Sequence, residues 1–307
     1  MNTESDKTTA LAPRSRCALE KAEPGAKRVL RVMVADTLEI AQKHFALVAL
    51  SPTKVDVERW FQQGEKYYYG KGVSKNYAEA VKWYRKAAIH GHAVAQDNLG
   101  DCYDHGRGVS QDYTEAVRWY RLAAEQGHSN AQYDLGVCYH RGDGVPKDYT
   151  EAVRWFRLAS EHKNPWAECG LGRCYEYGDG VAQNDIEAAK WYQMAAEQGH
   201  ADAQESLASL CASGKGVPQD YTEAAKWYRK AADQGEVLAQ KELGLLYGTG
   251  KASIDDPVDA YQWVKIAAVD GSERSINTVA FIEAMLSPEE FQEAESRYAK
   301  LKATHPS

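Results

Sequence analysis

One spacing constrains this chain more than any other feature. Trp83, Trp119, Trp155, Trp191, Trp227 and Trp263 each stand 36 residues from the next. Gly70, Gly106, Gly142, Gly178, Gly214 and Gly250 keep the same step, and so do Ala80, Ala116, Ala152, Ala188, Ala224 and Ala260. Tyr67, Tyr103, Tyr139, Tyr175 and Tyr247 follow it with Cys211 in the empty slot. Gly64, Gly100, Gly136, Gly172 and Gly244 follow it with Ala208 in theirs. Self-similarity of this length marks stacked supersecondary units that share one continuous core. The 307 residues alone would suit about two ordinary domains; the period replaces them with six units, 57–92, 93–128, 129–164, 165–200, 201–236 and 237–272. It also explains the aromatic composition of 19 Tyr and 8 Trp against 5 Phe, because each unit uses one Trp and several Tyr at fixed places.

The unit from Ser129 to Asn164 shows the local logic. Ala131, Leu135, Gly136 and Tyr139 recur at helical spacing and predict a first helix. Gly142 and Gly144, flanking Asp143, stop it, since glycine tolerates the left-handed backbone after a helix end. Val145 to Asp148 make the turn. Ala152, Trp155, Phe156, Ala159 and Ser160 then predict a second helix. Lys163 stands where other units place Gly91, Gly127, Gly199, Gly235 and Gly271. Small residues let the two axes approach, and large aromatics are expected to fill the spaces between layers.

The pattern A-x-x-x-L-G-x-x-Y-x-x-G-x-G-V-x-x-D-Y-x-E-A-x-x-W-Y-x-x-A-A-x-x-G resembles the Sel1-like repeat, a relative of the tetratricopeptide repeat. Its clearest copies are Ala95 to Gly127 and Ala131 to Ala159. The last unit departs most, with Ala252 for the second loop glycine and Pro257 for Tyr, and the fourth has Asp185 for Tyr. The resemblance implies an all-α fold, a right-handed α-solenoid of antiparallel helix pairs. It also implies a non-catalytic adaptor that holds a peptide or protein partner in its concave groove.

Outside the array, 1–27 reads as a flexible N-terminal segment and 28–56 as an N-terminal cap. Arg28 to Ala35 is a possible strand, and Thr37 to Leu50 a helix with Leu38, Ala41, Phe45 and Val48 inward. Excess Lys and Arg between Arg14 and Arg31 leaves a targeting segment as the alternative. Residues 273–307 read as C-terminal capping helices, the second opening at Ser287-Pro288-Glu289-Glu290 with an N-cap, a proline and an acidic first turn.

Chemistry finds little support. Net charge is −7, which argues against a generally basic nucleic-acid binder. Met1 to Ala10 lacks a secretory apolar core, and Phe45 to Leu50 is too short to span a bilayer; the expected location is cytoplasmic. Cys102, Cys138 and Cys174 fall on separate layers about 10 Å apart, beyond a disulfide or a shared zinc. His92, His128 and His200 share one loop position, and His90-Gly91-His92 lacks a third ligand, so no metal and no cofactor is expected. Gly106-Arg107-Gly108 follows a helix, unlike phosphate loops. Cysteine-rich relatives suggest β-lactam chemistry as an alternative. Ser51 to Lys54 and Ser160 to Lys163 match S-x-x-K, but K-T-G and S-D-N are missing and Ser160 is expected to be buried. A secreted effector using the same groove is the other alternative.

What remains is a surface. Carrying the tetratricopeptide groove positions over gives Phe61, Glu65, Tyr68 and Tyr69 in the first unit and Asp97, Asp101, Asp104 and His105 in the second. The third gives Asn130, Tyr133, His140 and Arg141, the fourth Trp166, Arg173, Glu176 and Tyr177, and the fifth Asp202, Glu205 and Ser209. The acidic stretch of the second unit favours basic ligands. Trp166 lies outside the Trp register. It is either an exposed hot-spot residue beside Tyr and Arg or a filler between the third and fourth units.

Overall fold

The computed structural model describes residues 52–254, 256–268 and 273–304. The chain divides into a segment Met1–Arg59 and a segment Trp60–Ser307. The expected strand at 28–35, the helix at 37–50 and the targeting alternative lie outside the described residues. Fourteen helices and no strand occur among the described residues. They are α1 (Lys54–Tyr69), α2 (Tyr77–Ala88), α3 (Ala93–Asp104), α4 (Tyr113–Ala124), α5 (Ser129–Arg141), α6 (Tyr149–Glu161) and α7 (Pro165–Tyr177), then α8 (Asp185–Glu197), α9 (Ala201–Ser213), α10 (Tyr221–Asp233), α11 (Val237–Gly248), α12 (Pro257–Ala267), α13 (Glu273–Met285) and α14 (Pro288–Thr304). In the second segment each helix packs on its neighbours in the chain, α3 on α4, α4 on α5, α5 on α6 and onward to α12. This is an α-solenoid of helix pairs.

Caps define both helices of a unit. Asp112, Asp148, Asn184 and Asp220 precede the second helices, and each side chain accepts two backbone N–H bonds of the first turn, satisfying donors that have no partner within the helix. His92, His128 and His200 precede first helices and accept through Nδ1 from Ala95, Ala131 and Ala203. The shared loop position of the histidines is therefore a capping position. Asn164 does the same work for α7. Lys163, at φ 55°, holds the left-handed turn that glycine takes elsewhere.

Two close approaches explain the glycine and aromatic registers. Gly136 on α5 faces the Phe156 ring of α6, which a Cβ would meet at 2.6 Å. Gly100 and Gly172 face Tyr120 and Tyr192 in the same way. These rings fill the seam within a unit and also reach the first helix of the next, Tyr120 packing with Leu135 and Phe156 with Leu171, and Tyr84, Tyr120 and Tyr192 are almost fully buried. The registered Trp bridges units too: Trp155 packs into the cluster of α4 and α5 residues around Tyr120 and Leu135. The second glycine of the loop joins units by backbone. Gly144, at φ 71°, lies so close to the start of α4 that a Cβ would overlap the Tyr113 carbonyl.

Polar ladders run between units as well. Gln96, Gln132 and Gln204 are buried and donate to the carbonyls of Ala88, Ala124 and Ala196 at 2.9–3.1 Å, closing the end of the preceding helix. Arg85, Arg121 and Arg157 donate to the hydroxyls of Tyr103, Tyr139 and Tyr175 one unit on. Cys211 breaks the Tyr register where Gln193 replaces the arginine, so both partners of that bond are lost together. At the far end α13 and α14 pack on α12. Tyr261, Val264, Ile282 and Ala294 are buried in one cluster. Ser287 and Glu290 form a reciprocal cap, Glu290 accepting from the Ser287 N–H at 2.8 Å.

Candidate functional site: a groove along the first helices

The first helices of the third to sixth units line two hollows that run into each other. One, of about 550 Å³, is lined by Tyr133, His140 and Arg141 of α5, by Trp166, Cys169 and Arg173 of α7, and by Phe156, Lys147, His200 and Asp202. The other, of about 720 Å³, is lined by Arg173, Glu176 and Tyr177 of α7, Asp202, Glu205 and Ser209 of α9, and Glu236, Glu242 and Lys251 further on. Cys169, Arg173 and Asp202 belong to both, so the two make one groove. Trp166 is 54% exposed and packs edge to face on His200, ring centroids 4.2 Å apart. Of the two roles the sequence left open for Trp166, exposure is the one observed.

Ten of the sequence candidates thus gather: Tyr133, His140, Arg141, Trp166, Arg173, Glu176, Tyr177, Asp202, Glu205 and Ser209. The other nine line neither hollow. Phe61 stacks on His92 at 4.5 Å. Tyr68 accepts from Arg107 at 2.5 Å and meets Tyr69 and Tyr77 edge-on. Glu65 accepts from the buried Tyr84 hydroxyl at 2.6 Å and from Asn98. Asp101 accepts from Tyr120 at 2.8 Å, as Glu176 does from Tyr192 at 2.6 Å. Asn130 accepts from Asn164 at 3.0 Å, and His105 lies 3.5 Å from the Asp104 carboxylate. The unit-to-unit variation at 65 and 101 therefore tracks a ring inside the unit. Where that ring is Phe156 and has no hydroxyl, Val137 replaces the acid.

In the acidic stretch of the second unit Asp97 is buried, Asp101 and Asp104 are half-buried and His105 is exposed. Asp97 is 6% exposed. Burial, and after it the Asp101 charge, push its carboxyl up to about 7. Its Oδ2 sits 3.4 Å from His128 Nδ1, a nitrogen already accepting from Ala131, which suits a protonated carboxyl. Burial also raises Asp104 and, more strongly, Asp134. In the groove itself burial first, then the charges of Glu236, Asp202 and Glu242, raise Glu205.

Nucleophile candidates find no setting. Cys102, Cys138, Cys169 and Cys174 are buried and unpaired, and burial pushes each thiol up to about 12, away from the reactive thiolate. Ser51 lies outside the described residues. Ser160, expected to be buried, is half-buried and donates to the Arg157 carbonyl at 2.7 Å. Among the described residues no three His, Cys, Asp or Glu side chains converge to hold a metal ion, and no helix is long and apolar enough to cross a membrane. A further hollow of about 730 Å³ between α11 and α13 is lined by Tyr247, Ile254, Phe281 and Met285 among others, and the sequence did not point to it.

Comparison with known proteins fits this geometry. The Sel1 repeat family model matches at 64–92, 93–128, 129–164, 167–200, 201–236 and 237–271. The chain belongs to the Sel1 repeat family. Among solved structures it is similar to a protective antigen present in uropathogenic Escherichia coli strains, described as displaying an SLR fold, with 35% identity and a TM-score of 0.66. That match covers 83% of this chain and 55% of the antigen, so the chain spans about half of that relative's length. A Sel1 repeat protein from Oxalobacter formigenes matches at 35% identity and a TM-score of 0.64, covering 80% of this chain and 97% of that one. No curated protein matches the chain.

Within this Sel1 array, sequence reasoning missed His200, Phe156, Glu236, Glu242 and Lys251 as groove residues. His200 carried a readable signal. It shares the capping position of Asn164, and the position that serves Asn164 as acceptor, Asn130, becomes Trp166 one unit on.

Proposed function

We propose that this Sel1 array is a non-catalytic adaptor that holds a segment of a protein partner along the groove of α5, α7, α9 and α11. The observation that carries this reading is the continuity of the two hollows through Cys169, Arg173 and Asp202. It gives a track long enough for several consecutive residues, with an exposed Trp166 at one end. Exposed Trp, Tyr and Arg dominate binding energy where partners meet. Sel1 repeats commonly serve as protein-interaction modules. The second hollow carries Glu176, Asp202, Glu205, Glu236 and Glu242 against Arg173 and Lys251, which favours Lys or Arg in the part of the partner lying there. The five described cysteines, buried and unpaired, support a cytoplasmic setting.

The test is affinity capture from the native cell with wild type, Trp166→Ala, Glu205→Lys and, as a control away from the groove, Tyr69→Ala. A protein retained by wild type and Tyr69→Ala but lost with both groove variants, at unchanged melting temperature, is the expected result. Equal retention by all four proteins would remove the groove from the function.

A further inference from the structure

We infer that the hollow between α5, α7 and α9 seats a carboxylate, the side chain of an Asp or Glu within the partner segment, with an apolar neighbour of that residue against Trp166. This rests on the groove reading above and adds the chemistry of what the groove selects.

The inference starts from an orphan donor. His200 is 8% exposed. Its Nδ1 accepts from the Ala203 N–H, so the ring proton belongs on Nε2. Burial holds the ring below the usual imidazole range, so it stays neutral. That Nε2–H is buried and has no hydrogen-bond partner among the described residues, a costly state it shares with the indole N–H groups of Trp119 and Trp155, but of the three only His200 lines a described hollow.

One other unit shows a group that fills this place. At the equivalent cap of the preceding unit, Asn164 donates its second polar group to Asn130 at 3.0 Å. One unit on, the acceptor's place is taken by Trp166, whose ring cannot replace an amide oxygen. The indole itself makes no hydrogen bond among the described residues, and it meets the His200 ring edge to face.

The surroundings say what oxygen would suit. Arg141 and Arg173 line the same hollow, are exposed, and neither forms a hydrogen bond or ion pair among the described residues. Asp202 is the acid that lines it. Guanidinium groups present forked donors matched to a carboxylate, and an imidazole N–H adds a third. Tyr133 and the exposed face of Trp166 offer apolar contact beside them. The hollow continues into the second one, so the chain runs on past the seat. That favours a side chain within a segment over a chain terminus.

The test uses a random dodecapeptide library displayed against the full chain, with enriched peptides measured by fluorescence polarisation. Enrichment of Asp or Glu beside an aromatic or large aliphatic residue is expected. Replacing that acid by its amide, or Arg173→Ala in the protein, should each weaken binding by about tenfold or more, as loss of a charge-assisted bond does. His200→Asn should weaken it several-fold at unchanged melting temperature, because Asn164 shows that asparagine completes this cap. Peptides that bind without an acid, or whose affinity survives Arg173→Ala and His200→Asn while Trp166→Ala and Glu205→Lys abolish binding, would overturn the carboxylate seat and leave the groove standing. If no peptide is enriched, or none is affected by Trp166→Ala or Glu205→Lys, the groove reading falls and this inference with it.

Discussion

Alanine at Gly144 should destabilise the array far more than alanine at Gly72, although both positions have the same backbone. Gly72 has φ 75° and Gly144 φ 71°, so an alanine at either place pays the same left-handed cost of about 1–2 kcal/mol. The gain from a stiffer unfolded chain, about 0.4–1 kcal/mol, is also common to both. The surroundings differ. A Cβ at Gly72 meets nothing within 4 Å, whereas one at Gly144 would overlap the Tyr113 carbonyl and crowd the Thr114 nitrogen. Those atoms are backbone at the start of α4 and cannot rotate away, so overpacking adds about 1–3 kcal/mol. The last unit supports this: Ala252 stands at the same place, and its backbone is not left-handed. Urea unfolding followed by far-UV circular dichroism and by Trp fluorescence should therefore give a clearly lower midpoint for Gly144→Ala than for Gly72→Ala. Equal midpoints would show that the loop glycine matters for its conformation alone and that units are not joined by this contact.

Three other outcomes follow from the same packing. Trp155→Ala, which empties a site 6% exposed between α4 and α5, should cost about 3–5 kcal/mol, and an unchanged melting midpoint would refute that role for the registered Trp. Glu168→Gln should stabilise the protein by about 1 kcal/mol at pH 8, since Glu168 is buried where other units donate from Gln; burial raises its pKa, so the ionised form is the disfavoured one, and the gain should shrink at pH 4. Asp97, pushed up to about 7 by burial and then by Asp101, favours the neutral acid in the fold, so its contribution is present below the unfolded pKa near 4 and lost as pH rises through 7, up to about 4 kcal/mol. His128, lowered by burial and then by His92, acts in the opposite direction in both proteins, so the difference between wild type and Asp97→Asn should grow in the variant's favour from pH 5 to pH 8, and a constant difference would contradict a protonated Asp97.

The solenoid was legible because the period repeats every physical requirement six times. A single Gly136 says little; Gly100, Gly136 and Gly172 in register, each facing a ring on the second helix, say that two axes approach closely. The exposure of Trp166 was harder to read, since periodicity places a residue on a helix without saying whether its neighbours leave it room. Glu65 and Asp101 look like surface acids in the sequence. They sit where the face of the first helix turns toward its own partner helix, within reach of a buried Tyr hydroxyl. The capping histidines and the buried Gln96, Gln132 and Gln204 gave no hint of their bonds, because a polar residue that satisfies a backbone group across a seam looks like any solvated one.

Exceptions to the register separate scaffold from recognition. Where an exception belongs to the scaffold, its partner changes too. Cys211 loses the hydroxyl where Gln193 has already lost the arginine, and Val137 loses the acid where Phe156 has lost the hydroxyl. Trp166 and Arg173 do not follow this rule. Trp166 offers His200 no acceptor, as Val94 offers none to His128, but of the capping histidines only His200 has a buried donor with no partner among the described residues. Arg173 stands at the position of Glu65 and Asp101, while Tyr192 turns to Glu176 instead, leaving the guanidinium with no partner among the described residues. A change that costs the scaffold a bond and is not matched by a second change needs a cause outside the scaffold. Both changes open on the same hollow, and there a ligand oxygen would satisfy the imidazole and the guanidinium at once.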